Sequence, residues 1–239
     1  MVRWTLLALL VSTLGCSSSQ VEPAPTFDDP TYSADELLGR FDPAAHADFV
    51  RIPLGWTDKD EIYLRAEALE AYSRMRSSAD SSGVDLLIRS ATRNFTYQRG
   101  IWERKWARPR YMGWSALEKA RDIMTYSSMP GTSRHHWGTD IDLCAFENEW
   151  FETGEGAQVY AWLVENAEDY GFHQVYTDRQ ARTGYHLERW HWSYTPLADA
   201  MLADYNALIS IDSLAGFSGA ETGVADSLQV IARYVNGVD

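Results

Sequence analysis

Cysteine is nearly absent from this 239-residue chain: only Cys16 and Cys144 occur, too few for a domain held together by disulfides. Basic residues are scarce too, with 21 Lys and Arg against 34 Asp and Glu and a net charge of −13. That excludes nucleic acid as the expected partner, because phosphate recognition rests on clustered positive charge. The apolar run from Trp4 to Val11 is far too short to cross a bilayer. No internal repeat occurs, and both the strand-turn-helix serine pattern of hydrolases and the His-Glu-x-x-His zinc pattern are missing. What remains is ordinary globular material, 45% hydrophobic and 23% charged, with 13% aromatics, too many for a disordered chain. A single domain of this size buries about 70% of the surface its unfolded chain exposes, enough for a core without staples.

The N-terminus reads as an export signal. Arg3 gives a positive start, the short apolar run follows, and Ser12-Thr13-Leu14-Gly15 leads into Cys16 and three serines. This pattern resembles a bacterial lipoprotein signal, with residues 1–15 removed and Cys16 acylated, although Thr13 stands where such signals usually carry Leu. Residues 16–31 are rich in Ser, Pro and acids, as expected of a flexible tether. Cys144, left as a single thiol in an oxidising compartment, is expected to be buried and inert.

Downstream, the pattern predicts an α+β domain. Apolar spacing gives a helix over 58–78, stopped by Ser81-Ser82-Gly83, and Val84 to Ile88 fits a short buried strand. Asn94 caps a helix to Trp106, another runs from Ser115 to about Tyr126, and Thr139 to Cys144 alternates like a strand. A helix over 156–170 closes at Gly171, Tyr185 to Tyr194 is strand-like, and Pro196 opens a helix to about Ile209. Beyond residue 215 the small-residue-rich segment reads as a tail.

Two segments carry the chemistry. In Ser133-Arg134-His135-His136-Trp137-Gly138-Thr139-Asp140-Ile141-Asp142, two histidines and two carboxylates fall within ten residues, a metal-ligand composition. On a strand, Asp140, Asp142 and Cys144 share one face while Ile141 and Leu143 take the other. The second segment, Tyr185 to Tyr194, contains Glu188 and His191. Three positions apart, they would face opposite sides of a straight strand, so both reach one metal only if the backbone turns near Arg189. Trp190, Trp192 and Tyr194 would then pack the core or wall the cleft. A carboxylate beside a metal can take the proton of an attacking water.

Ser133-x-His135-x-x-Gly138-x-x-x-Asp142, followed by Glu188-x-Trp190-His191, resembles the paired signature of the D-alanyl-D-alanine carboxypeptidase-like zinc peptidases of the VanY type. The resemblance spans roughly Phe41 to Leu208 and implies a small single-domain zinc peptidase with a short antiparallel sheet flanked by helices; the domain is expected over 32–215, and the tail over 216–239 lies outside the resemblance. It implies one Zn²⁺ held by His135, Asp142 and His191, with Glu188 as the general base. Upstream, Arg93 and Gln98 match the spacing of an Arg and a Gln that the family turns toward the substrate, though Ala91-Thr92 replace the more frequent Gly-Tyr. Arg93 suits the task chemically, since a carboxypeptidase must hold a free carboxylate and Arg offers a charged bidentate fork. It belongs to a basic stretch, Arg89 to Arg110, that either attracts anionic peptide ends or wall polymer or is a solvated helix face.

Ser133 either contacts the substrate carboxylate or caps the turn. Asp140 either holds a ligand imidazole or is solvated. His136 is expected to be structural, His186 to line the cleft or be structural, and His46 and His173 to lie on the surface. The expected function is an exported, zinc-dependent D,D-carboxypeptidase acting on peptidoglycan stem peptides, monomeric and bound to membrane only through its lipid. An L,D-carboxypeptidase or a peptidoglycan endopeptidase would use the same zinc site. A lipoprotein that binds wall peptides without cleaving them is the reading from another class, and Glu188 speaks against it.

Overall fold

A computed structural model describes Met1 and residues 29–239. The expected signal over 1–15, the acylation of Cys16 and the tether as far as residue 28 lie outside the described residues. Among the described residues, no helix is long and apolar enough to cross a membrane.

The centre is a four-stranded sheet in the order β3-β4-β6-β5, antiparallel throughout, built from β3 (Ile88–Ser90), β4 (Asp140–Leu143), β5 (Phe172–Gln174) and β6 (His191–Tyr194). A separate pair, β1 (Phe49–Arg51) and β2 (Tyr63–Arg65), lies upstream. The helices are α1 (Ala34–Leu37), α2 (Ala66–Ser81), α3 (Phe95–Trp106), α4 (Ala116–Ile123), α5 (Gly154–Asn166), α6 (Thr195–Leu208) and α7 (Val224–Ser227). The mixed α+β architecture with a short antiparallel sheet is thus present.

Pairing in β4 and β6 puts Ile141 opposite Trp192 and Asp142 opposite His191. Because side chains alternate across a strand, Ile141, Leu143, Trp192 and Tyr194 join α2 and α5 in one apolar core. The opposite face is left to Asp140, Asp142, His191 and Ser193. A second core lies among α3, α4, α6 and the C-terminal segment.

Local differences from the sequence reading have identifiable causes. The helix expected over 58–78 begins only at Ala66, because Leu64 and Arg65 pair with β1 and the Arg65 side chain is buried, bonding Trp137 O, Asp48 and Glu36. The expected strand over 84–88 forms its ladder at 88–90. Of the strand-like run 185–194, only the last four residues pair, and Arg189 and Trp190 form a turn. Asn94 caps α3 through a bond from the Tyr97 N–H, and Gly171 ends the α5 segment at φ 81°. Gly138 has φ 72°, and a Cβ there would lie 2.3 Å from the Phe49 ring, so the turn into β4 demands glycine.

The segment read as a tail over 216–239 is packed rather than peripheral. Phe217, Val224, Leu228, Val230, Tyr234 and Val235 are buried in the second core. The Trp102 Nε1–H donates to Ser218 O at 2.9 Å, and Glu103 accepts from both Ser218 N–H and Oγ–H. Its apolar residues are separated by glycines and short turns, which hides them from any periodic reading. Phe217→Ala should therefore destabilise the domain by about 3 kcal/mol, lowering Tm by roughly 6–12 °C in calorimetry; an unshifted Tm would mean that this segment contributes nothing to the core.

Candidate metal centre and cleft

The cluster grows from the β4–β6 ladder. Asp142 and His191 are cross-strand partners, and His135 arrives from the 3₁₀ turn Arg134–His136 just before Gly138. The turn is stapled to the strand end: Arg93 N–H donates to His135 O at 3.1 Å, and Arg93 O accepts from His136 Nδ1–H at 2.5 Å.

Each imidazole is oriented by its outer nitrogen. His135 Nδ1–H donates to Ala91 O at 2.9 Å, which leaves Nε2 facing Asp142 Oδ2 at 3.3 Å. His191 Nε2–H donates to Asp140 Oδ2 at 2.7 Å, which turns Nδ1 toward Asp142 Oδ1 at 3.2 Å and Glu188 Oε2 at 3.6 Å. Asp140 is fully buried. It also receives Arg134 Nε–H at 3.0 Å on Oδ2, and Ser193 and Thr139 hydroxyls at 2.7 Å on Oδ1, while Arg134 Nη2–H reaches Ser193 Oγ. Asp140 therefore holds a ring rather than facing solvent, the arrangement by which an outer carboxylate fixes a ligand tautomer.

One ligand atom from each of His135, Asp142 and His191 lies within 4.8 Å of the other two, and all three side chains are buried. His135 Nε2 and Asp142 Oδ1 have no hydrogen-bond partner. Converging buried acceptors left unpaired are costly unless a cation joins them, so the donors fit a metal ion. Two imidazoles and one carboxylate match the three protein ligands of catalytic zinc sites. The electrostatics agree: burial opposes charge on His191, yet the bonds to Asp140 and Asp142 prevail and push its pKa up to about 9. The two carboxylates thus call for positive charge beside them. Burial also raises Glu188, to about 7.

The turn at Arg189–Trp190 meets the geometric demand on Glu188, with His191 N–H donating to Glu188 O at 3.3 Å. Trp190, Trp192 and Tyr194 all enter the core, and Trp190 also borders a cleft of about 500 Å³ lined by Arg93, Lys105, Ser127, Asp142 and Glu188. Arg93 Nη2 is 3.8 Å from Asp142 Oδ2, and its buried Nε has no partner. Ser133 makes no capping bond, and its buried Oγ is also unpaired, in a recess shared with His135 and His191.

Gln98 falls elsewhere. It is buried under the loop after α4, with Nε2–H donating to Ser128 O at 2.7 Å, and does not line the cleft, because its position on α3 faces that loop. His136 is spent on backbone, since Gly131 N–H donates to its Nε2, and burial pushes its pKa down to about 3. His186 is exposed and edge-on to Tyr126, and His46 pairs with Glu36 at 3.3 Å. Glu36, His46 and Asp48 also lie close together, but Arg65 neutralises both acids there. Cys144, expected to be inert, is partly buried in the left-handed region at φ 62°, and burial raises its thiol to about 11.

Sequence reasoning passed over the aromatic backing. Tyr176 packs on His191 with ring centroids 4.6 Å apart, Tyr185 packs on Tyr176 at 5.1 Å, and Tyr234 packs on Tyr185 at 5.1 Å. No motif spacing marks these residues. Lys105 lay in the basic stretch without a reason to single it out.

Comparison with known proteins adds the following. A family described as VanY: D-alanyl-D-alanine carboxypeptidase matches residues 61–197. A D-alanyl-D-alanine carboxypeptidase of Enterococcus faecalis (strain ATCC 700802 / V583) is 31% identical over 52% of this chain and 45% of its own. The solved LdcB LD-carboxypeptidase shares 24% identity over 71% of this chain and 77% of its own, with a TM-score of 0.53, a likeness of fold. A vancomycin-resistance D,D-pentapeptidase VanY variant solved with Zn(II) shares 24% identity over 69% and 94%, with a TM-score of 0.49. The chain spans 45% of the Enterococcus faecalis carboxypeptidase's length and 61% of that of a putative carboxypeptidase YodJ of Bacillus subtilis (strain 168).

Asp140→Asn removes the charge that buried Arg134 faces. It should cost about 3–5 kcal/mol, read as a lower urea midpoint at unchanged slope; stability within about 0.5 kcal/mol of wild type would show the pair to be dispensable.

Proposed function

This chain belongs to the VanY family of D-alanyl-D-alanine carboxypeptidases, and on that premise we propose that it is an exported zinc-dependent carboxypeptidase that removes the terminal residue from peptidoglycan stem peptides. The observation that carries this reading is the convergence of His135, Asp142 and His191 beside the buried carboxyl of Glu188. His135 Nε2, the Asp142 carboxylate and His191 Nδ1 would hold the zinc. When bound, zinc supplies Lewis-acid polarisation of a carbonyl and makes water more acidic.

The chain's own residues do the rest. Arg93 binds the terminal carboxylate of the peptide and sets the scissile bond against Glu188. Glu188 Oε2 takes the proton of the attacking water and returns it to the leaving amine. Ser133 Oγ, buried and without a partner, supplies a further hydrogen bond to the peptide. Tyr176, packed against His191, excludes water from the back of the ring. A binding module would need no carboxyl in the position of Glu188, which favours an enzyme. Acylation of Cys16 would tether it, as a monomer, to a membrane facing the wall.

Mass spectrometry of defined peptides with D,D-linked ends, L,D-linked ends and crosslinks tests the reading and names the bond. Glu188→Gln should retain zinc by elemental analysis while turnover drops at least about 10²–10⁴-fold, whereas His191→Ala should lose the metal. Zinc-loaded wild-type protein that cleaves none of these peptides would overturn the carboxypeptidase assignment. Arg93→Ala should impair cleavage at free carboxyl ends by at least about tenfold while sparing internal bonds; a rate within about twofold of wild type would remove Arg93 from that role.

A further inference from the structure

Beyond Arg93 the cleft holds a second cation that the proposed reaction leaves without a task. Lys105 comes from the last turn of α3, roughly 15 Å along the helix axis from the Arg93 end, yet its side chain reaches the cleft that Arg93 and Glu188 line. It is half-buried, its Nζ donates to Ser127 Oγ, and among the described residues no carboxylate lies within ion-pair distance of it. The neighbours that act on Lys105 are mainly cations, Arg108, Arg93 and Arg110, with Glu188 as the acid.

A Lys side chain loses considerable rotamer freedom when immobilised, and an ammonium half-removed from water without a counter-ion is unfavourable. Ser127 offers one neutral acceptor where Lys carries three donors. The facing wall does contain Glu147 and Glu149, but both are exposed, so solvent screens them. The buried acids of the cleft, Asp142 and Glu188, belong to the proposed metal site; among the remaining charges Arg93 and Lys105 are less solvated than Glu147 and Glu149 and set the preference of that part of the cleft.

We propose that Lys105 is a specificity-determining residue that binds a second carboxylate on the peptide, carried by the side chain immediately upstream of the terminal pair, so that the cleft selects doubly anionic peptide ends. This deepens the carboxypeptidase reading and rests on it, since the terminal carboxylate is assigned to Arg93. Ser127 holds the ammonium in place until the carboxylate replaces or joins it.

Two synthetic peptides serve as probes, acetyl-Glu-D-Ala-D-Ala and acetyl-Gln-D-Ala-D-Ala, which differ only in the second carboxylate. Their dissociation constants are measured by calorimetry on zinc-loaded Glu188→Gln protein, which binds without turning the peptide over. The glutamate peptide should bind about tenfold more tightly, the advantage should shrink to within about twofold in Glu188→Gln/Lys105→Met, and Glu188→Gln/Lys105→Arg should restore it. A purely structural Lys105 would weaken both peptides alike. Equal affinity for the two peptides, a preference that survives Lys105→Met, or no binding of either peptide overturns the proposal. Equal affinity in the Lys105-containing protein overturns the proposal even if Lys105→Met fails to fold, and Glu188→Gln/Lys105→Gln then takes its place in assigning any preference to Lys105. Carboxylate-selective binding together with no cleavage of either peptide by wild type would sink the carboxypeptidase reading alone.

Discussion

The site depends on one buried charge, the Asp140 carboxylate. It sits on the polar face of the central sheet with no access to water, and it persists there because Arg134, His191, Ser193 and Thr139 all donate to it. Burying an ion pair gives little net stability, but stripping one member from such a pair is severe. What Asp140 contributes is direction. By occupying Nε2 of His191 it leaves Nδ1 as the nitrogen that faces Asp142, and through Arg134 it anchors the turn from which His135 projects. The same carboxylate thus positions two of the three candidate ligands while touching neither substrate nor metal.

Sheet register converts that anchor into a site. Opposed residues in an antiparallel ladder lie about 5 Å apart, so the pairing of Asp142 with His191 brings together positions far apart in sequence without any loop having to be held in place. One residue of slip would send His191 into the apolar core and Trp192 to the metal. The aromatic burial of Trp192 and Tyr194 against α2 and α5 therefore guards the register, and the geometry of the site is underwritten by hydrophobic packing on the opposite face. Glu188 escapes the alternation because it precedes the strand, on a turn.

The candidate ligands were legible because their chemistry is local in sequence: a His turn, a required glycine and alternating acids, then Glu and His three apart with a turn between. Gln98 had the right spacing but the wrong heading, since spacing along a helix does not say which neighbour the side chain meets. Asp140 had two open readings, and only the distance to His191 chooses between them. Tyr176 and Tyr185 come from irregular segments, where no period distinguishes an aromatic that backs a ligand from one that fills a core. The C-terminal segment was hidden for a related reason: its apolar residues obey the shape of a groove formed by α3 and α4, not a period of their own. The start of α2 was misplaced because Arg65, a good helix former, is claimed by longer-range bonds.

The line of rings from His191 through Tyr176 and Tyr185 to Tyr234 sets an order in time. Tyr234 lies well beyond every candidate ligand in the sequence, so the outermost ring joins the line only after all of them have been translated. The ligands can meet earlier, but His191 acquires its full backing only then.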